Sequence, residues 1–185
     1  MWLAACCMFA MSFAFDVHAG QTEDAKAYSI FEQFNTYDIE LAAFAVTRGQ
    51  SGTVRAVGEM ILKDHVPLLE DIRELAGKGA VTYSIDHEND LGRKHKNAVL
   101  TLMDKDVDEF DKTYLIYEQD FSKMFVRVIQ NEIIPDVNDA EAEAFFTKIL
   151  ARFNEHLAHI NHAANMVSEP DKIRGGGCTG HDHDH

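Results

Sequence analysis

The chain has 185 residues, 46% of them hydrophobic, which is enough for one substantial core and calls for no second domain. With 17 basic and 31 acidic residues its formal net charge is −14, a surface that repels phosphate backbones and anionic lipid. Nucleic acid and membrane partners are therefore not expected, and cations are the natural ligands.

The first fifteen residues, Met1 to Phe15, are almost wholly apolar and run into Asp16-Val17-His18-Ala19-Gly20. Val17 and Ala19 occupy the small-residue positions of a signal-peptidase site, so residues 1–19 read as a signal peptide cut after Ala19, and the mature protein as periplasmic or secreted. Fifteen apolar residues are too few to span a bilayer, and no second stretch of ~20 follows, so membrane insertion is not expected. Leu3-Ala4-Ala5-Cys6 spells a lipobox but lacks a preceding hydrophobic segment, which argues against lipidation. Cleavage removes Cys6 and Cys7, leaves Cys178 as the one cysteine and so forbids an internal disulfide; with 17 bases against 30 acids remaining, the mature charge is −13.

Residues 20–170 read as one all-α domain, because apolar residues recur at three and four rather than at two. The first long helix covers Tyr28 to Arg48. Phe31, Phe34, Ile39, Ala42 and Val46 do not keep one stripe there, which predicts an interruption near Asn35-Thr36. From Ser51 to Lys78 the stripe Val54, Val57, Ile61, His65, Leu68, Ile72 and Leu75 is unbroken, with Ser51 as N-cap, Gly77 and Gly79 as the stop, and Pro67 predicting a kink. A shorter helix fits Asp86 to Met103. The next covers Asp108 to Asn131, with Phe110, Tyr114, Tyr117, Phe121, Met124 and Val128 on one face. Pro135-Asp136 marks a loop, Asp139 an N-cap, and the last stripe runs Ala142, Phe146, Ile149, Phe153, His156, Ile160, Ala163 and Val167. Four long helices and one short one make a bundle. The tail, residues 171–185, is rich in Gly, His and Asp, has nothing to bury and reads as disordered.

Two stripes carry a histidine where an aliphatic residue would serve, His65 and His156, so two imidazoles should face the bundle interior. Inward histidines and carboxylates on facing helices are how bundles build sites for divalent iron, manganese or zinc. Asp38 and Glu40 on the first helix, Asp64 beside His65, Glu118, and His159 beside His156 can complete such a site. The same two histidines can equally be core residues hydrogen-bonded to a carboxylate such as Asp38 or a hydroxyl such as that of Tyr114, fixing register and binding nothing. The Glu-x-x-His pairs of carboxylate-bridged sites are absent; Glu155-x-x-x-His159 is the nearest spacing. His162 follows His159 but rotates away toward solvent. In the tail, His181, His183 and His185 alternate with Asp182 and Asp184, a composition suited to loose binding of zinc, copper or nickel, with Cys178 nearby as a soft ligand. Gly-x-Ser-x-Gly, His-Glu-x-x-His, Cys-x-x-Cys and a phosphate-cradling glycine loop are all missing, so hydrolase and kinase readings have no support.

Asp38-Ile39-Glu40-Leu41-Ala42, Met60-Ile61-Leu62-Lys63-Asp64-His65, Phe110-Asp111-Lys112-Thr113-Tyr114 and Glu155-His156-Leu157 resemble, in order and spacing, the signatures of the ferritin-like domain-of-unknown-function family 4142 of exported bacterial proteins. The resemblance spans about Phe31 to Val167. It implies a ferritin-like helical bundle outside the cytoplasm, with His65 and His156 at family histidine positions. Phe121-Ser122 stands where the family carries a second Asp-His pair, and Ala151 where it carries a proline; if the family's cluster binds metal, the resemblance implies either that this chain has lost that capacity or that it relies on Glu118 instead. Three functions follow as expectations: divalent-metal sequestration in envelope stress or metal handling, a ferritin-like iron or manganese oxidoreductase, or a structural bundle with a polar core.

Overall fold

The computed structural model describes residues 13–78 and 89–168, with side chains from residue 23 onward. The described chain is α-helical throughout its regular elements: α1 (Phe13–Arg48), α2 (Gly52–Lys78), α3 (Asp90–Asp104), α4 (Val107–Val128), a π turn (Ile129–Ile133), the single turn α5 (Ile134–Asp136) and α6 (Ala140–Ser168). No described helix is long and apolar enough to cross a membrane. The leader expected at residues 1–19 lies largely outside the described residues, and its last part forms the start of α1.

Contacts between chain ends fix the topology. Asp111, at the start of α4, receives the backbone N–H groups of Gln50 at 2.8 Å and Ser51 at 2.7 Å, where α2 begins. At the opposite end Lys78 pairs with Glu141 at 2.9 Å, and Asp24 accepts the N–H of Asn138 at 2.7 Å. Helices α2 and α4 thus run parallel, and the chain between Lys78 and Val107, which includes α3, must return along the bundle. One long crossover of this kind is the ferritin-like arrangement, whereas a simple up-and-down bundle has none. Helix α1 packs on α2 and α4, and α6 on those same two, so the four long helices enclose one core.

Local chemistry sets each boundary. Ser51 Oγ accepts the Val54 N–H at 3.1 Å, and Asp139 Oδ1 accepts those of Glu141 at 2.8 Å and Ala142 at 2.9 Å, as N-caps do. Asn89 caps α3 by accepting from Gly92, so that helix begins at Asp90 rather than Asp86. The guanidinium of Arg48 donates to the carbonyls of Leu102, Met103 and Lys105 at the end of α3 and lies 5.0 Å above the Phe110 ring. Gly58 lets α1 and α2 approach closely: a Cβ there would lie 2.7 Å from the Ala42 carbonyl oxygen.

Three expectations are corrected. The interruption near Asn35-Thr36 does not form, because the polar residues that spoil the apolar period face inward and are used there. Asn35 Nδ2 donates to the His65 carbonyl at 2.8 Å. Pro67 is exposed, and α2 runs past it as one helix. Pro135-Asp136 is a helical turn, not a loop. The π turn shifts the register so that the Ile134 N–H reaches the Ile129 carbonyl and Pro135 falls in the first turn of α5, where a missing N–H costs little. The buried face of α4 is Phe110, Asp111, Tyr114, Leu115, Glu118, Phe121, Ser122 and Phe125, and Tyr117 and Met124 are only partly buried.

Phenylalanine fills the core beside the polar centre: Phe34 stacks on Phe125 at 4.5 Å, and Phe125 meets Phe153 at 4.9 Å. Because Asp111 holds two backbone donors with one carboxylate, Asp111→Ala should lower stability by about 2–3 kcal/mol and the melting temperature by roughly 5–10 °C, with Asp111→Asn intermediate. Thermal unfolding followed by circular dichroism checks this; unchanged melting of both variants would contradict it.

Candidate functional site

Each of the four long helices sends one acid or histidine into the same region: Asp38 from α1, His65 from α2, Glu118 from α4 and His156 from α6, all buried. His65 and His156 meet directly, Nε2 to Nδ1 at 3.3 Å. His156 Nε2 lies 2.8 Å from Asp64 Oδ2, and Asp64 Oδ1 accepts from Arg152 at 3.0 Å. On the other side His65 Nδ1 is 3.2 Å from Asp38 Oδ2. Ser122 donates to Glu118 at 3.1 Å, and the His65 ring stacks on Phe153 at 4.6 Å.

With both imidazoles neutral, these distances assign the protons. A carboxylate only accepts, so His156 carries its proton on Nε2 toward Asp64, which leaves a lone pair on Nδ1. That lone pair requires His65 to carry its proton on Nε2, so His65 Nδ1 in turn holds a lone pair that faces Asp38. An ionised Asp38 would repel it; a protonated Asp38 can donate to it.

The electrostatics agree. Burial, followed by the Glu118 charge and its hydrogen bond, pushes the Asp38 carboxyl well above its ordinary range. Burial also raises Glu118, although the hydroxyl of Ser122, which donates to it, and the nearby Asp38 and Tyr114 oppose the rise. His65 is pushed down to about 3 by burial and the neighbouring His156 and Arg152 charges. His156 is lowered by burial, against the pull of Asp64. Burial and the two carboxyls raise the Tyr114 hydroxyl well above its ordinary value. Two neutral imidazoles and two carboxyls that favour their protons therefore occupy the centre, and the buried region avoids unpaired charge.

Hydrogen bonding is nevertheless incomplete. Asn35 Oδ1, Asp38 Oδ1, His65 Nδ1, Tyr114 Oη and Glu118 Oε2 are buried without a geometrically sound partner; the His65 to Asp38 approach is close but off-axis, and Tyr114 lies beside Glu118 without completing a bond. Five such atoms in one region exceed what a native core normally tolerates, since each costs roughly 1–3 kcal/mol. A cavity of about 10 Å³, lined in part by Asp38, His65, Ser122 and His156, lies against two of these residues, Asp38 and His65. That is about the space a single water-sized guest needs.

The other expected site residues lie elsewhere. Glu40, 55% exposed, turns away from Asp38, as residues two apart on a helix must, and its Oε2 sits 2.6 Å from His95 Nε2 on α3. Asp64 stands at the edge of the centre and holds His156. His159 is exposed on the outer face of α6. His181, His183, His185 and Cys178 lie outside the described residues. Among the described residues, no three His, Cys, Asp or Glu side chains surround one point as a ready-made metal site. Sequence reasoning overlooked Asn35, Arg152 and His95; the last falls on the buried face of α3 with Gly92, Ala98 and Leu102, which was the available signal.

The family motifs now have physical roles. In the first, Asp38 enters the centre, Glu40 holds His95 and Leu41 is core; in the second, Asp64 orients His156 while His65 occupies the middle. In the third, Phe110 underlies Arg48, Asp111 clamps the turn before α2 and Tyr114 flanks Glu118. Ser122, also on α4, borders the same cavity.

The fold and site define an all-α bundle with one crossover and a buried acid–histidine centre. The chain belongs to the family described as domain of unknown function DUF4142, whose model matches residues 14–163. No curated protein and no solved structure matches it.

The proton assignment has a signed consequence. Folding raises Asp38, so its contribution is intact below the unfolded value and is lost as pH rises toward the folded one; folding lowers His65 and His156, whose contribution is lost as pH falls below about 6.5. Asp38→Asn keeps a donor toward His65 and cannot ionise. Its stability relative to the parent should grow from about pH 4 upward by roughly 1.4 kcal/mol per pH unit until Asp38 itself ionises. Urea unfolding at pH 4, 6 and 8 with a chelator present measures the difference, and a difference constant with pH would contradict the assignment.

Proposed function

We propose that this protein is an exported bundle that takes up one divalent cation at its centre, in exchange for protons held by Asp38 and Glu118. The observation that carries this reading is the pair of unpartnered buried atoms Asp38 Oδ1 and His65 Nδ1, whose residues line a cavity of water size, with the unpartnered Glu118 Oε2 on the carboxyl that Ser122 of the same lining holds. A nitrogen lone pair and two carboxyls form the mixed donor set that suits iron, manganese or zinc. Asp38, His65 and Glu118 would hold the ion. Asp64 and Arg152 act at a distance by fixing the imidazole tautomers, as outer partners of metal-binding histidines commonly do. Bound iron or manganese would supply redox chemistry and zinc would not, so the identity of the ion decides between an oxidoreductase and a sequestering protein. The apolar leader supports export, and the net charge of −14 supports local enrichment of cations. The tail histidines form a separate and looser candidate.

A second reading is favoured by one observation. Neutral tautomers connect Asp64, His156 and His65 by hydrogen bonds without any ion, and Asp38 lies 3.2 Å from the far nitrogen of His65. On that reading the network only sets helix register.

Elemental analysis of the mature protein, purified without affinity tag or chelating resin and prepared with and without residues 175–185, separates these readings. The expected result is one iron, manganese or zinc per chain in both forms, lost on Glu118→Gln while circular dichroism stays unchanged. Metal only in the full-length form, or in neither, would overturn the central site.

A further inference from the structure

A cleft of about 510 Å³ lies between α1, α3 and α4, within the size range of small-molecule sites. Its floor is apolar, with Leu41, Ala98, Phe121 and Met124 among the lining residues; its mouth carries Lys94, Lys123 and Arg127. One acid, Asp120, also borders it and stands 3.8 Å from Lys123. Three cations against one acid is an inversion of charge in a chain with 31 acidic and 17 basic residues. Neither Lys94 nor Arg127 forms an ion pair among the described residues, so neither charge is explained by internal pairing.

His95 supplies an independent observation. It lines the cleft, is only 7% exposed, and its Nδ1 has no hydrogen-bond partner. The ring is fixed by Glu40 at 2.6 Å on Nε2 and by Tyr37 stacked at 4.1 Å. Held by two neighbours, the ring forms a fixed part of the cleft wall.

We propose that this cleft binds a small amphipathic anion, an apolar body carrying one carboxylate or equivalent head group. The body lies on Leu41, Ala98, Phe121 and Met124, and the head group meets Lys94 and Arg127 with His95 within the wall. The excess of apolar residues on α4 has the same explanation: Tyr117 and Met124 continue the helix's apolar surface past the core and into the cleft. This site is separate from the buried centre, and its occupation needs no metal.

The probe is 8-anilino-1-naphthalenesulfonate, an aromatic sulfonate, titrated by fluorescence into the mature full chain, followed by displacement with decanoate and, separately, with decanol. Decanoate should displace the probe at roughly tenfold lower concentration than decanol, since the two share an apolar chain and differ in charge. Lys94→Gln combined with Arg127→Gln alters two exposed positions. It should weaken probe and decanoate binding by roughly tenfold and leave thermal unfolding unchanged. Equal displacement by decanol, unaltered binding in the double variant, or no binding of the probe would each overturn the proposal.

Discussion

The hydrogen bond between His156 Nε2 and Asp64 Oδ2, 2.8 Å long and anchored by Arg152, propagates inward because an imidazole has only two nitrogens. Once Asp64 accepts a hydrogen bond from one nitrogen of a neutral imidazole, the other nitrogen must accept, and the next histidine must donate to it. The carboxylate is 15% exposed and keeps a cationic partner at the surface, so its charge is compatible with its position. Every group deeper than His156 can then be neutral. That is the condition for burying two histidines and two acids in one small core.

Neutrality leaves a residue of unused capacity. The relay ends at His65 Nδ1 with a lone pair close to Asp38 but off its axis, and beyond Asp38 the Glu118 carboxyl and Tyr114 hydroxyl sit close together without complete bonding. A core designed only for rigidity would replace such groups with apolar side chains of similar size, usually at no loss of stability. Their retention in a bundle otherwise packed with phenylalanine sets this region apart from the core around it. The same crossover that makes α2 and α4 parallel also brings α3 alongside α1 and α4 and opens the cleft, so one topological choice underlies both candidate sites.

The sequence made α2 and α6 legible because their stripes never lapse, and a histidine on an unbroken stripe has nowhere to point but inward. Both His65 and His156 were found this way, as were the caps Ser51 and Asp139. Helix α1 resisted the same reading because Gln33, Asn35 and Asp38 face the core, and buried polar residues look like surface to a hydrophobic period. Glu118 distorts the face of α4 in the same manner. Glu40 was grouped with Asp38 by proximity in sequence, whereas helix geometry sends the two apart. Pairings across helices, such as Arg152 to Asp64 or Glu40 to His95, depend on rotation and packing order, which no single segment encodes.

The central claim is the pair of histidine tautomers, and long-range proton–nitrogen NMR of imidazole-labelled protein reads them directly. The account predicts that His65 and His156 are both neutral at pH 6 in the metal-free protein, each protonated on Nε2, with a bare Nδ1 on His65. An imidazolium at either position, or a proton on His65 Nδ1, would mean that Asp64 does not set the centre's protonation and would contradict the account.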